Sequence, residues 1–134
     1  MTHNDLNQWR PRVLSVLSAF SGFIFLLHGT QKLLGFPPSE RVVAAFSLSW
    51  WSALIELICG TLIMIGLFTR QAAFLASGTM EFAYWIAHAP RDMFPVNNGG
   101  DAAILYCFVF LYLVFAGPGP WSIDAARGKD RYLD

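Results

Sequence analysis

Four long apolar stretches alternate with short polar ones along the chain. The first follows Arg10-Pro11-Arg12 and runs from Val13 to Leu27. It continues less purely through His28-Gly29-Thr30-Gln31-Lys32 to Leu34. Pro37-Pro38 stops it, because proline cannot extend a helical hydrogen-bond ladder. The second stretch runs from about Ser47 to Phe68 and holds a single charge, Glu56. Thr69-Arg70 reads as a tight turn. The third runs from about Gln71 to Ala89, again with one acid, Glu81, and with His88 near its end. Pro90 to Gly100 is rich in turn residues and reads as a loop. The fourth runs from Asp101 to about Gly117, where Gly117-Pro118-Gly119-Pro120 breaks it, and a polar tail follows.

These runs predict helices. A membrane barrel would alternate apolar and polar residues over roughly 10-residue segments. In lipid, a helix satisfies its backbone within one segment. The pattern predicts an all-α fold, a transmembrane four-helix bundle in a single integral membrane domain spanning 1–134. The expected spans are about 13–34, 47–68, 71–89 and 101–117. A basic flank before an apolar run also suits a secretory signal, but no small-residue cleavage site follows. The segment is therefore read as a retained first span with Pro11 near its first turn. Pairs of small residues four apart, Ser18/Gly22, Ala72/Ala76 and Ala83/Ala87, predict close helix contacts.

Composition narrows the function classes. Of 134 residues, 55% are hydrophobic and 13% charged, and nine basic side chains balance nine acidic ones. Disorder needs the opposite composition. Nucleic-acid binding needs a basic excess, so no nucleic acid is expected as a partner. Four spans use roughly 80 residues, which leaves no room for a second, soluble domain. Cys59 and Cys107 lie far apart without a CxxC, and read as small buried hydrophobes.

Basic residues set orientation. Arg10, Arg12, Arg70, Arg127, Lys129 and Arg131 collect on one side, with Arg41, Arg91 and Lys32 on the other. The imbalance predicts cytoplasmic N and C termini, with Trp50 and Trp51 at the outer interface. Glu56 then lies roughly 9 Å below Trp50, and Glu81 roughly 10 Å deeper than His88, at 1.5 Å per residue. His28 and Lys32 are four apart, and Glu81, Tyr84 or Trp85, and His88 share a face at helical spacing. Ionisable groups avoid lipid tails and face the interior or a wet cavity. The expectation is one aromatic-lined polar pocket in the outer half, built from His28, Lys32, Glu56, Glu81, His88 and Asp101. Plainer roles compete. Lys32 can snorkel, His88 and Asp101 can sit among headgroups, and Arg41, Arg70 and Arg91 can simply fix topology. Glu56 and Glu81 can belong to a network that locks helices through Lys32 or His28.

The order of motifs resembles the DoxX family of small four-helix bacterial membrane proteins. The matching pieces are Leu27-His28-Gly29-Thr30-Gln31-Lys32-Leu33, Ile55-Glu56-Leu57-Ile58-Cys59-Gly60, Gly66-Leu67-Phe68-Thr69-Arg70, Asn98-Gly99-Gly100-Asp101 and Gly117-Pro118-Gly119-Pro120-Trp121-Ser122-Ile123-Asp124. The resemblance covers about Arg12 to Asp124. It implies a multi-pass protein of the bacterial inner membrane linked to redox chemistry, as a subunit of a quinone-linked thiol, thiosulfate or oxidant system. The family commonly has Glu before the last helix, where this chain has the shorter Asp101.

Three functions follow. In the first, the chain is an oxidoreductase subunit with a quinone as its cofactor. Glu56, Glu81 and His28 are then the catalytic candidates, and Lys32, Tyr84, Trp85, His88 and Asp101 the quinone-binding ones. Carboxylates and imidazoles suit it because quinol oxidation releases protons. No haem or flavin motif is visible, so a redox partner protein or a homo-oligomer is expected alongside the lipid bilayer. The second is a metal site, but Glu81 and His88 are two turns apart, unlike the Glu-x-x-His of di-iron bundles, so no metal ligand is assigned. The third is a non-enzymatic scaffold or small-solute transport subunit.

Overall fold

The computed structural model describes residues 1–40 and 43–129, and every regular element among them is helical. Arg41 and Arg131, two of the basic residues weighed for orientation, lie outside the described residues. Helix α1 spans His3–Leu34, α2 Leu48–Ile65 and α3 Thr69–Ala83. A π-helical segment, Tyr84–His88, continues α3. Two single turns, α4 (Pro95–Asn98) and α6 (Ile123–Ala126), flank α5 (Asp101–Ala116).

Helix boundaries follow their caps. α1 starts ten residues before the expected span because Thr2 and Asp5 form a reciprocal capping box. The Asp5 carboxylate accepts from the Thr2 backbone N–H at 2.8 Å, and the Asp5 N–H donates to the Thr2 hydroxyl at 3.3 Å. The Thr2 N–H foremost, and the Thr2 hydroxyl donating to the same carboxylate at 2.8 Å, hold the Asp5 carboxyl below its ordinary range. Pro11 therefore lies inside α1 and not in its first turn. α2 ends at Ile65, three residues short of the expected Phe68, because Gly66 takes the left-handed cap at φ 71°.

α1 and α2 run antiparallel in close contact. Gly22, Gly29 and Gly60 allow it, since a Cβ on Gly29 would sit 2.6 Å from the Leu57 nitrogen, and one on Gly60 2.6 Å from the Leu26 nitrogen. The Ser18 hydroxyl crosses to the Ile63 carbonyl at 3.1 Å. α3 and α5 form a second antiparallel pair, bridged by Ser77 Oγ to the Cys107 carbonyl at 2.8 Å. α2 packs on α3, whereas α1 and α5 meet at few points. Of the expected small pairs, Ser18/Gly22 and Ala72/Ala76 are buried, but Ala87 is exposed.

Side-chain sizes are distributed as lipid requires. Phe25, Ile63, Phe110 and Leu113 pack with small residues such as Ala72, Ala73 and Ala76 inside. Phe20, Phe23, Ile58, Phe74, Phe82, Phe108 and Phe115 point outward and are exposed. Soluble monomers rarely expose so many large apolar side chains, whereas a lipid surrounding accepts them. α1 and α2 are long and apolar enough to cross a membrane, and α5 is a shorter apolar helix.

The segment after α5 folds back against the helix ends. The buried Asp124 carboxylate accepts from the Phe68 and Thr69 N–H groups at 3.0 and 2.9 Å. It caps the start of α3, which has no cap of its own. Arg70 donates in turn to the Val114 and Phe115 carbonyls at 2.9 and 2.6 Å, which closes the end of α5. Arg70, expected to mark the basic rim, thus also joins α3 to α5.

Candidate functional site

At the opposite end, His28, Lys32, Glu56 and His88 line one cavity of about 200 Å³, together with Phe25, Met80 and Tyr106. The last turns of α1 bring His28 and Lys32, four residues apart, to the same side. α2 supplies Glu56 and the π-helical segment supplies His88. The cavity is walled by both antiparallel pairs.

Glu56 is the most constrained group in it. Its residue is 2% exposed. Oε1 accepts from Lys32 Nζ at 2.9 Å and from the Ser52 hydroxyl at 3.2 Å. Oε2 is buried and has no hydrogen-bond partner. A buried acceptor left unmade costs about 1–3 kcal/mol, more when charged. Such an oxygen in a cavity wall suits a ligand that donates a hydrogen bond.

The remaining lining orders the site. The His28 ring stands edge-on to Tyr106 at 5.8 Å, and Tyr106 stacks on Phe110 at 5.6 Å. His88 Nδ1 lies 3.2 Å from the Asn98 carbonyl. A carbonyl only accepts, so Nδ1 carries a proton, and in the neutral ring Nε2 keeps the lone pair. Asn98 is buried and knits the loop together. Its Nδ2 donates to the Tyr84 hydroxyl at 3.2 Å and to the Asp92 carbonyl at 3.1 Å, and its Oδ1 accepts from the Gly100 N–H at 2.8 Å. A groove of about 420 Å³ between α2 and α3, with Trp51, Ile55, Phe82 and Ile86, shares Lys32, Ala83 and His88 with the cavity.

The other sequence candidates lie elsewhere. Glu81 is exposed on the outward face of α3 and does not line the cavity. An unbroken α-helix would place Glu81 and His88 on one face. The wider i→i+5 turn of Tyr84–His88 rotates less per residue, so His88 swings inward while Glu81 stays out. Trp85 is exposed, with its ring 5.4 Å from Tyr84. Tyr84 is half-buried, bonded to Asn98 and packed where a Gly100 Cβ would sit 2.6 Å from its ring. Asp101 is exposed, its carboxylate turned to the Ala102 N–H at 3.0 Å. Tyr106 and Asn98 are what sequence reasoning missed. A hydroxyl inside the fourth apolar run was the available signal for Tyr106. Asn98 opens the Asn98-Gly99-Gly100-Asp101 motif, but nothing local gave its side chain a role.

Among the described residues, no three His, Cys, Asp or Glu side chains are grouped to hold a metal ion. Cys59 and Cys107 are both free thiols.

The DoxX family model matches residues 14–89. An uncharacterized protein of Haemophilus influenzae is 39% identical over 127 residues, covering 90% of this chain and 95% of its own. An uncharacterized membrane protein of Mycobacterium tuberculosis is 30% identical over 135 residues, covering 81% and 77% respectively. No solved structure matches the chain.

Proposed function

Since the chain belongs to the DoxX family of membrane proteins, we propose that it binds the head group of a quinone or quinol as a subunit of a quinone-linked redox system. The partnerless Glu56 Oε2 inside the cavity carries this reading. A quinol hydroxyl donates where that oxygen accepts. As the quinol is oxidised, Glu56 takes one of its two protons and the unprotonated His88 Nε2 takes the other, while the Lys32 ammonium stays paired with Oε1 at 2.9 Å. His28, His88 and Tyr106 offer polar atoms to the rest of the head group, and Phe25 and Met80 give the ring apolar walls. The two electrons pass to a partner protein.

In the same reading, α1, α2, α3 with its π-helical extension, and α5 form a transmembrane four-helix bundle in the bacterial inner membrane, a single integral membrane domain. Both termini are cytoplasmic and the cavity faces outward. Four of the spans' polar groups gather at one end, as a single outward-facing site requires. Glu81 then belongs to a contact face of α3. A carboxylate turned toward lipid is expensive, so a redox partner or a second copy covers it.

A second reading has one observation in its favour. The Lys32–Glu56 pair ties α1 to α2, as a purely structural lock in a scaffold or transport subunit would. Binding of a benzoquinol to purified protein in nanodiscs separates the two. Saturable binding in the native chain, weakened in Glu56→Gln while the protein stays folded, supports the quinol site. Absence of binding, or binding that Glu56→Gln leaves unchanged, rejects it.

A further inference from the structure

We infer that the cavity's ligand carries a long apolar tail, and that the cleft between α1 and α5 holds it. This rests on the quinol reading of the cavity and names the ligand class more narrowly. α1 and α5 meet at few points, and between them lies a cleft of about 610 Å³. Its walls are almost wholly apolar. The Ser21 hydroxyl among them already donates to the Leu17 carbonyl at 2.6 Å. Tyr106 and Ala102 line both the cleft and the polar cavity, so the two volumes adjoin.

Size divides the ligand between them. Sites for complete drug-sized ligands measure about 300–1,000 Å³. The polar cavity, at about 200 Å³, takes a ring and little more. From Ile24 beside the cavity, the cleft descends along α1 to Val13, roughly 16 Å at 1.5 Å per residue. It therefore suits a linear tail lying along α1. Lipid tails are as apolar as the cleft, so a tail moving from bilayer to cleft loses no solvation. The cleft confers position and route more than affinity. A head group enters sideways from the membrane while its tail stays in hydrocarbon.

The test uses the full chain in nanodiscs. The probe is a decyl-tailed benzoquinol with a diazirine at the tail's far end, and the control is a fatty acid bearing the same diazirine. The quinol probe should label α1 near Val13 and Val16, while the fatty acid labels outward faces evenly. Tail-less benzoquinol should compete this labelling away. Val13→Trp and Val16→Trp, which fill the cleft at the end away from the cavity, should each abolish it while tail-less benzoquinol still binds. Probe labels scattered as evenly as the control's, or labelling that survives both cleft-filling variants, overturn the inference. So does a crosslink between two copies across the cleft that excludes the probe. Cleft labelling that ignores both Glu56→Gln and the competitor supports a tail site but overturns the quinol reading. Benzoquinol binding that Glu56→Gln weakens, with cleft labelling absent throughout, does the reverse.

Discussion

Lys32→Met isolates the energetics of the site. The substitution keeps most of the side chain's length and removes its charge. Glu56, 2% exposed, then retains only the Ser52 hydroxyl as a donor. Removing one partner of a buried ion pair costs about 3–5 kcal/mol. The Lys32 side chain is 33% exposed, so water already screens part of the pair. The expected loss is therefore smaller, about 2–3 kcal/mol. Glu56→Gln should cost less, on the order of 1 kcal/mol, because Gln still accepts from Ser52 and Lys32 can extend to water. In the double variant no buried charge is stranded. Its loss should fall below the sum of the single losses by about 1–2 kcal/mol. Denaturant titration in bicelles, followed by helical circular dichroism, measures all four corners of the cycle. Additive single losses would refute the argument, because they would mean that the two groups do not sense each other across 2.9 Å.

Three further outcomes are expected. Asp124→Ala removes two hydrogen bonds from the start of α3 and should destabilise by about 2–4 kcal/mol, with Asp124→Asn in between, in the same titration. Gly60→Ala drives a Cβ to within 2.6 Å of the Leu26 nitrogen; forcing α1 and α2 apart should cost about 1–3 kcal/mol, whereas Gly78→Ala, with open space, should be neutral or mildly stabilising. The Asp5 carboxyl is depressed in the folded chain, so its capping contribution is present above the unfolded carboxyl's range and is lost as pH falls through the folded value. Hydrogen exchange at the first turn of α1 should speed up under acid relative to mid-helix amides. In Asp5→Asn that extra acid dependence should vanish.

The helices were legible because lipid imposes a coarse rule. Long apolar runs, each with its breaker, gave α1, α2, α3 and α5 and their order. Ends were less legible where a cap outranked the hydrophobic pattern. Thr2 and Asp5 lengthen α1 past Pro11, and Gly66 shortens α2 by one turn. The polar cluster was half legible. His28 and Lys32 share a face through regular α-helical spacing, and Glu56 stands alone in its run, so their convergence followed from helix direction. Glu81 was misplaced because spacing arguments assume an unbroken α-helix. Nothing in Tyr84-Trp85-Ile86-Ala87-His88 announces a π turn.

The amino-acid order alone set the helical class, the apolar exterior and the end at which His28, Lys32 and Glu56 gather, since these depend on local periodicity and on the cost of charge in lipid. Long-range contacts settled the rest. Lys32 reaches one oxygen of Glu56 and leaves the other without a donor. Asp124 crosses more than fifty residues of chain to cap α3. Tyr106 stands between a polar cavity and an apolar cleft because α1 and α5 fail to close. Each depends on how helices cross in space, and periodicity along one helix carries no information about the distance to another.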